Sequence, residues 1–186
     1  DRYLQRYPDV RVDADFTSRI VDIVHEGFDL AIRVGPLADS TLAVRKLGDL
    51  AYGLFASPDY LASRGVPAHP TDLAGHDVLA FASGTHQAAW MLSRADQLQR
   101  VELSSRLKAN NVFAIRDAAI AGLGIAQLPL VVAAPARRSL QLRPVLADWS
   151  PPSMPVHAVF ASARYLTPKV RSFIELAVDA MTSAEQ

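Results

Sequence analysis

Residues 110–129, NNVFAIRDAAIAGLGIAQLP, constrain this 186-residue chain more than any other stretch. Asn110 and Asn111 stand where a helix should begin, and Val112, Phe113, Ile115, Ala118, Ala119 and Ile120 give that helix an almost wholly apolar body. Gly122-Leu123-Gly124 stops it, and residues 125–128 read as a short buried strand. Asparagine side chains cap backbone N–H groups at a helix start, and the helix dipole adds positive potential there. Two roles are open for this start: a plain cap on a core helix, or a receptor for a polar ligand group.

The rest of the chain supplies the context. Residues 1–7 look like the end of a helix stopped by Pro8. Residues 10–16 alternate, with Val10, Val12, Ala14 and Phe16 on one face and Arg11, Asp13 and Asp15 on the other, as a half-buried strand does. Thr17 and Ser18 offer caps to a helix carrying Ile20, Val21, Ile23 and Val24, ended by Gly27. Residues 30–34 form an apolar strand broken only by Arg33, and Gly35-Pro36 turns the chain. Helix, strand, helix, strand is the order of an α/β layer with a parallel sheet.

Further on, residues 42–56 read as a long strand kinked near Gly48, and Ser57-Pro58 opens a helix that Gly65 ends. Thr71 caps a brief helix to Gly75, and residues 77–82 form a strand. Residues 90–93 and 101–109 bracket a polar turn as a hairpin would. A helix over 130–138, a strand over 140–146, a loop over 149–155 and a strand over 156–161 follow. Thr167 and Pro168 start a closing amphipathic helix through Met181. This pattern gives two lobes: residues 1–55 with 157–186, and residues 56–156, joined by two crossovers. A cleft between such lobes is a usual place for a small ligand.

Composition narrows the chemistry. Half the residues are hydrophobic, a fifth are charged and the net charge is zero, which argues against this chain gripping a phosphate backbone by itself, since that needs a clustered basic surface. Without cysteine there is no disulfide, thiolate nucleophile or zinc–sulfur site. His25, His69, His76, His86 and His157 lack metal-ligand spacing, and Gly122-x-Gly124 lacks the third glycine of a dinucleotide fingerprint. No metal and no cofactor are therefore expected, and no acid–base pair stands out for an enzyme. Asp13 and Asp15 are most simply solvated. No apolar run reaches transmembrane length.

Arg33 is the outlier. It sits at the end of its strand that a parallel sheet turns toward ligands, where a cation must be paired or reach water. It serves either a ligand or a salt bridge to Asp29 or Asp39. Phe81 and Ser83 end the strand that begins the second lobe, another cleft-rim position.

Four segments together resemble the effector-binding domain of LysR-type transcriptional regulators: RYPDVRV at 6–12, VDIVHEGFDLAIRVG at 21–35, ASPDYL at 56–61 and RDAAIAGLGIAQLP at 116–129. They occur in the family's order and spacing over nearly the whole chain. The resemblance implies an α/β, two-lobed fold like type II periplasmic binding proteins, each lobe a mostly parallel sheet flanked by helices. It implies a small effector in the cleft, a homodimer or higher homo-oligomer, a cytoplasmic location and no membrane. DNA would be reached only through an N-terminal winged helix-turn-helix, which with its linker helix and the first strand lies outside this sequence. By position, Thr17, Ser18, Arg33, Phe81, Ser83, Asn110 and Asn111 match the family's pocket-lining places. Arg33 and the helix start would favour an anionic effector. The alternative function is a solute-binding protein of a transport system with the same fold.

Overall fold

The computed structural model describes residues 2–37, 41–81, 89–162 and 166–184. In chain order the first elements are α1 (Arg2–Arg6), β1 (Ala31–Val34), β2 (Ala43–Leu50), β3 (Tyr52–Ala56) and α2 (Pro58–Arg64). A 3₁₀ turn (Pro70–Gly75), β4 (Val78–Phe81), β5 (Ala89–Arg94), β6 (Gln97–Glu102) and β7 (Ser105–Ala109) follow. The chain then runs through α3 (Val112–Ile120), β8 (Ile125–Pro129), α4 (Leu130–Arg138), β9 (Arg143–Val145), β10 (Met154–Phe160) and α5 (Pro168–Ala184). It divides into two compact units: unit 1 is Asp1–Leu50 with Met154–Gln186, and unit 2 is Ala51–Ser153. The divisions lie a few residues before the crossings read from sequence, near 55 and 157.

Unit 1 holds a three-stranded sheet in the order β1-β10-β2, antiparallel at both seams. The mostly parallel sheet expected for this lobe is therefore corrected. Its strands come from distant parts of the chain, so their direction depends on where the chain returns, which local patterning does not encode. α5 lays Val170, Ile174 and Ala177 over Leu47, Val156, Ala158 and Phe160. Gly48 lets it approach, since a Cβ there would lie 2.9 Å from the Met181 Cβ. Tyr3 of α1 donates its hydroxyl to the Lys169 carbonyl and packs edge-on against Phe173.

Two expected elements of unit 1 are not formed. Residues 10–16 contain no strand: their alternation marks which side chains would share a face, but no neighbouring strand supplies the backbone hydrogen bonds. Residues 18–26 contain no helix beyond a single turn at 23–27. Asp22, not Thr17 or Ser18, caps that turn, accepting from the Val24 and His25 amides. Glu26 reaches back to the Asp22 amide, and Gly27, at φ +74°, ends the turn at once. One turn fixes its dihedrals without the later bonds that make a helix propagate.

Unit 2 holds a five-stranded sheet in the order β7-β4-β8-β3-β9. β4 runs parallel to β7 and β8, while β3 runs antiparallel to β8 and β9, so the sheet is mixed. One face packs with Tyr60, Leu61, Leu73, Trp90, Leu92 and Trp149, and the other with Ile115, Ala118 and Ala119 of α3 and Ala133 of α4. The hairpin expected between 90–93 and 101–109 is instead β5 with β6, turned at Ala95 and Asp96, and β7 leaves it to join the larger sheet. The cap of the 3₁₀ turn is the His69 ring, which accepts from the Thr71 amide; Thr71 itself lies inside the turn. The single long strand expected over 42–56 is instead two, β2 and β3, which part at Ala51 into different sheets because the chain passes there from one unit to the other. Elsewhere the expected elements are formed within a few residues: α2 with Ser57 as cap, α3, β8, α4 and α5.

Candidate functional site

The residues singled out by sequence fall in both units. In unit 2, β4 and β7 are parallel neighbours, and Phe81 pairs with Ala109 in register at their carboxyl ends. Asn110 and Asn111 follow immediately, so the sheet brings Phe81 and both asparagines to one edge. That is the edge at which open α/β sheets receive ligands. Phe81 is exposed there, a large apolar surface with no burial to explain it.

Asn111 is the N-cap of α3. Its side-chain oxygen accepts from the amides of Phe113, at 2.9 Å, and Ala114, at 3.2 Å. Two of the four unpaired first-turn donors are thereby used within the helix itself, which leaves fewer for a ligand than the sequence suggested. Asn110 is also engaged. Replacing Asn111 by alanine should cost about 1 kcal/mol of unit 2 stability, and by glycine only a few tenths. Urea unfolding of the two variants measures this, and equal losses would show that the side-chain cap contributes nothing.

In unit 1, Thr17 and Ser18 lie in the non-helical segment. The Thr17 hydroxyl accepts from the Arg19 amide at 3.3 Å, and Ser18 is likewise engaged. Arg19 donates to Glu26 at 2.7 Å; that bond, with the Asp22 amide, holds the Glu26 carboxyl down to about 2. Arg33 on β1 donates to the Val21 carbonyl at 3.1 Å. Asp29, one partner considered for it, pairs instead with Lys169 at 2.8 Å. Asp39, the other, lies outside the described residues, as does Ser83. Among the described residues no carboxylate forms an ion pair with Arg33.

The register of the unit 1 sheet adds residues that sequence reasoning missed. Arg33 stands opposite His157 on β10, and His157 stands opposite Lys46 on β2. Directly opposed residues share a sheet face, so three basic side chains form one row. Nothing local in the sequence signals this, because the three positions meet only through pairing. Among the described residues no cluster of carboxylates and histidines is placed to hold a metal ion. An open depression between α3 and α4, lined by Arg116, Asp117, Ile120, Pro135, Ser139 and Gln141, shares no residue with these positions.

Residues 1–182 match the LysR substrate binding domain family. The chain belongs to that family. It is 34% identical over 168 residues to an uncharacterized HTH-type transcriptional regulator of Haemophilus influenzae, covering 90% of this chain and 58% of the relative. It is 35% identical over 177 residues to an HTH-type transcriptional regulator of Xanthomonas campestris pv. campestris, covering 93% of this chain and 52% of the relative. The chain thus spans little more than half the length of these relatives. Among solved structures, the regulatory domain of CrgA, a LysR-type transcriptional regulator from Neisseria meningitidis, superposes with a TM-score of 0.86 at 27% identity. That match covers 97% of this chain and 88% of the CrgA domain. Full-length AphB, the Vibrio cholerae virulence activator, gives 0.82 at 27% identity, covering 97% of this chain and 61% of AphB.

The LysR domain is thus the regulatory, effector-binding type of α/β domain, as the four sequence segments implied. The relatives are transcriptional regulators, which favours regulation over the transport alternative. No helix among the described residues is long and apolar enough to cross a membrane.

Proposed function

We propose that this LysR domain senses a small molecule in the cytoplasm and passes the signal to a helix-turn-helix outside the present sequence, without catalysing a reaction. The observation that carries the reading is the family match over residues 1–182 in relatives nearly twice as long, which are named for that DNA-binding motif. The effector-contacting residues would be Thr17, Ser18 and Arg33 in unit 1, and Phe81, Ser83, Asn110 and Asn111 in unit 2. The carboxyl-edge placement of Phe81 and the asparagines supports the second group. An effector acts by binding one conformation better than another.

The domain would also pair with a second copy of itself. Val12, Phe16, Ile20 and Val24 are exposed in one stretch, with Phe16 at 95%. Large apolar side chains left in water are what a partner would bury, and a symmetric dimer suits a regulator of symmetric operators.

The experiment compares the whole gene product with this 186-residue chain in gel shifts on the gene's own upstream DNA, beside sedimentation of the chain. The whole product should shift the DNA, and the chain alone should not at moderate salt, because it is neutral overall. The chain should sediment as a dimer at high micromolar concentration and Phe16→Asp as a monomer. Specific retention of DNA by the chain alone would overturn the division of labour.

A further inference from the structure

We propose that the Tyr60 hydroxyl, the His76 imidazole and the Asp77 amide form an acid-sensitive latch between α2 and the start of β4. The latch stands on unit 2 alone; only its use as a regulatory input rests on the effector-sensing reading.

One hydroxyl proton decides the arrangement. The Tyr60 ring is buried on α2, and its oxygen lies 2.8 Å from the Asp77 amide nitrogen and 3.2 Å from His76 Nδ1. An amide can only donate, so the hydroxyl oxygen accepts from Asp77. The hydroxyl proton is then directed to Nδ1, which accepts it only while unprotonated. The two rings also lean on each other, with centroids 5.8 Å apart. A neutral His76 with its proton on Nε2 thus completes a chain from the Asp77 N–H through the Tyr60 O–H to Nδ1.

A second proton on His76 breaks that chain. Both ring nitrogens of an imidazolium are donors, so Nδ1 and the Asp77 amide would aim two donors at one oxygen. The Tyr60 proton would lose its acceptor, and an unsatisfied polar group at a buried side chain costs free energy.

The surrounding charges do not offset this cost. The charged groups acting on His76 are Arg64 of α2, Asp72 of the 3₁₀ turn and Asp77 of β4, with Arg106 of β7 on the far side of Asp77. Arg64 donates to the Gly75 carbonyl at 3.3 Å, one residue before His76. The Asp77 carboxylate is shared between Arg106, at 3.4 Å, and Arg64, at 4.0 Å. The Asp72 carboxylate accepts from the Ala68 and His69 amides at 3.0 and 2.9 Å. Both carboxylates are thus engaged elsewhere. Burial first, and then the Arg64 charge, hold the imidazole below its ordinary range, against the pull of Asp72 and Asp77.

The latch grips a strand. Asp77 offers its amide to Tyr60 and its carbonyl to the Ile125 amide, at 2.9 Å, where β4 begins to pair with β8. From there β4 runs to Phe81 at the candidate edge. The His76 amide donates to the Leu73 carbonyl at 3.1 Å, which fixes the backbone that carries the imidazole to Tyr60. Folded His76 holds its proton less tightly than the unfolded chain does. Stability is therefore complete above the ordinary histidine value. It falls as pH drops through that value toward the folded one, because the unfolded state takes up the proton first.

The test uses the 186-residue chain with no effector. In ¹⁵N-histidine-labelled protein, neutral His76 should show an unprotonated Nδ1 and a protonated Nε2. It should titrate below the ordinary histidine range, and folded Tyr60→Phe should move its midpoint upward. Between about pH 7.5 and about pH 5.5, the urea unfolding constant should rise about threefold more for the wild type than for His76→Gln. The glutamine oxygen accepts the Tyr60 proton but does not titrate, and the other histidines are common to both chains. Over the same range the Asp77 amide should lose protection from exchange in the wild type and keep it in His76→Gln. Circular dichroism confirms that each variant is folded. The proposal is overturned if neutral His76 carries its proton on Nδ1, if it titrates at or above the ordinary range, or if wild type and His76→Gln share one pH slope. These measurements involve no ligand, so their failure leaves the effector reading to its own test.

Discussion

Gly124→Ala is expected to destabilise unit 2 by about 3 kcal/mol, combining backbone strain with overpacking. A Cβ at Gly124 would sit 2.4 Å from the Asp77 carbonyl oxygen and 2.9 Å from its carbonyl carbon. Backbone atoms cannot swing aside as a side chain can. The Asp77 carbonyl is also held in place, since it accepts from the Ile125 amide at 2.9 Å at the start of the β4–β8 pairing. Moving it would open the parallel part of the sheet on which Phe81 and Asn111 are mounted. The backbone at Gly124, with φ +155°, is one that side-chain-bearing residues rarely adopt. Gly122→Ala provides the comparison. There φ is +78°, and the nearest atom to a Cβ is the Ser57 hydroxyl at 3.4 Å, an ordinary contact. Its cost should be the left-handed penalty alone, about 1 kcal/mol. Urea unfolding of both variants in the 186-residue chain reads the difference. Equal losses at the two positions would mean that Asp77 yields and the close approach is not rigid.

That contrast bears on why parts of the fold were legible in the sequence. The unit from Asn111 to Pro129 carries its own instructions: a capping side chain, an apolar face at helical spacing, then two glycines at positive φ. Each signal is local, and the structure follows all of them. The same is true of Ser57-Pro58 and of the Val170, Ile174 and Ala177 stripe on α5. Residues 10–26 failed for the opposite reason. Their alternation was real, but a strand needs a partner, and the Asp22 cap and Gly27 leave room for one helical turn. Adjacency in sequence favours a hairpin for β7, whereas its partner β4 lies across the intervening β5–β6 pair. The candidate site divides along the same line. Arg33 stood out as a charge within an apolar strand. His157 and Lys46 did not, since only register brings them beside it.

The second large effect concerns the floor beneath α3. Ile115→Ala should cost about 3 kcal/mol, within the range for removing a buried aliphatic side chain. Ile115 is wholly buried, packed with Phe55, Leu79 and Leu128 of the sheet and with Ala133 of α4. The strand residues are tied by backbone pairing, and the alanine around it has no length with which to fill the space. The cavity would therefore persist, and the penalty would exceed the transfer term alone. The loss should also reach the helix start, because the Ile115 amide donates to the Asn111 carbonyl and closes the first turn of α3. Amide exchange at Phe113 and Ala114, whose N–H groups are held by the Asn111 side chain, should then quicken along with the drop in global stability. Ile120→Ala is the control, since that residue only packs against the margin of the same core and should lose about 1 kcal/mol. If Ile115→Ala destabilises unit 2 while exchange at Phe113 and Ala114 does not quicken, the cap is held by the loop from β7. If exchange rises with the cavity, the geometry of the candidate edge depends on core packing, and any ligand that contacts Asn111 reads the state of that core through one turn of helix.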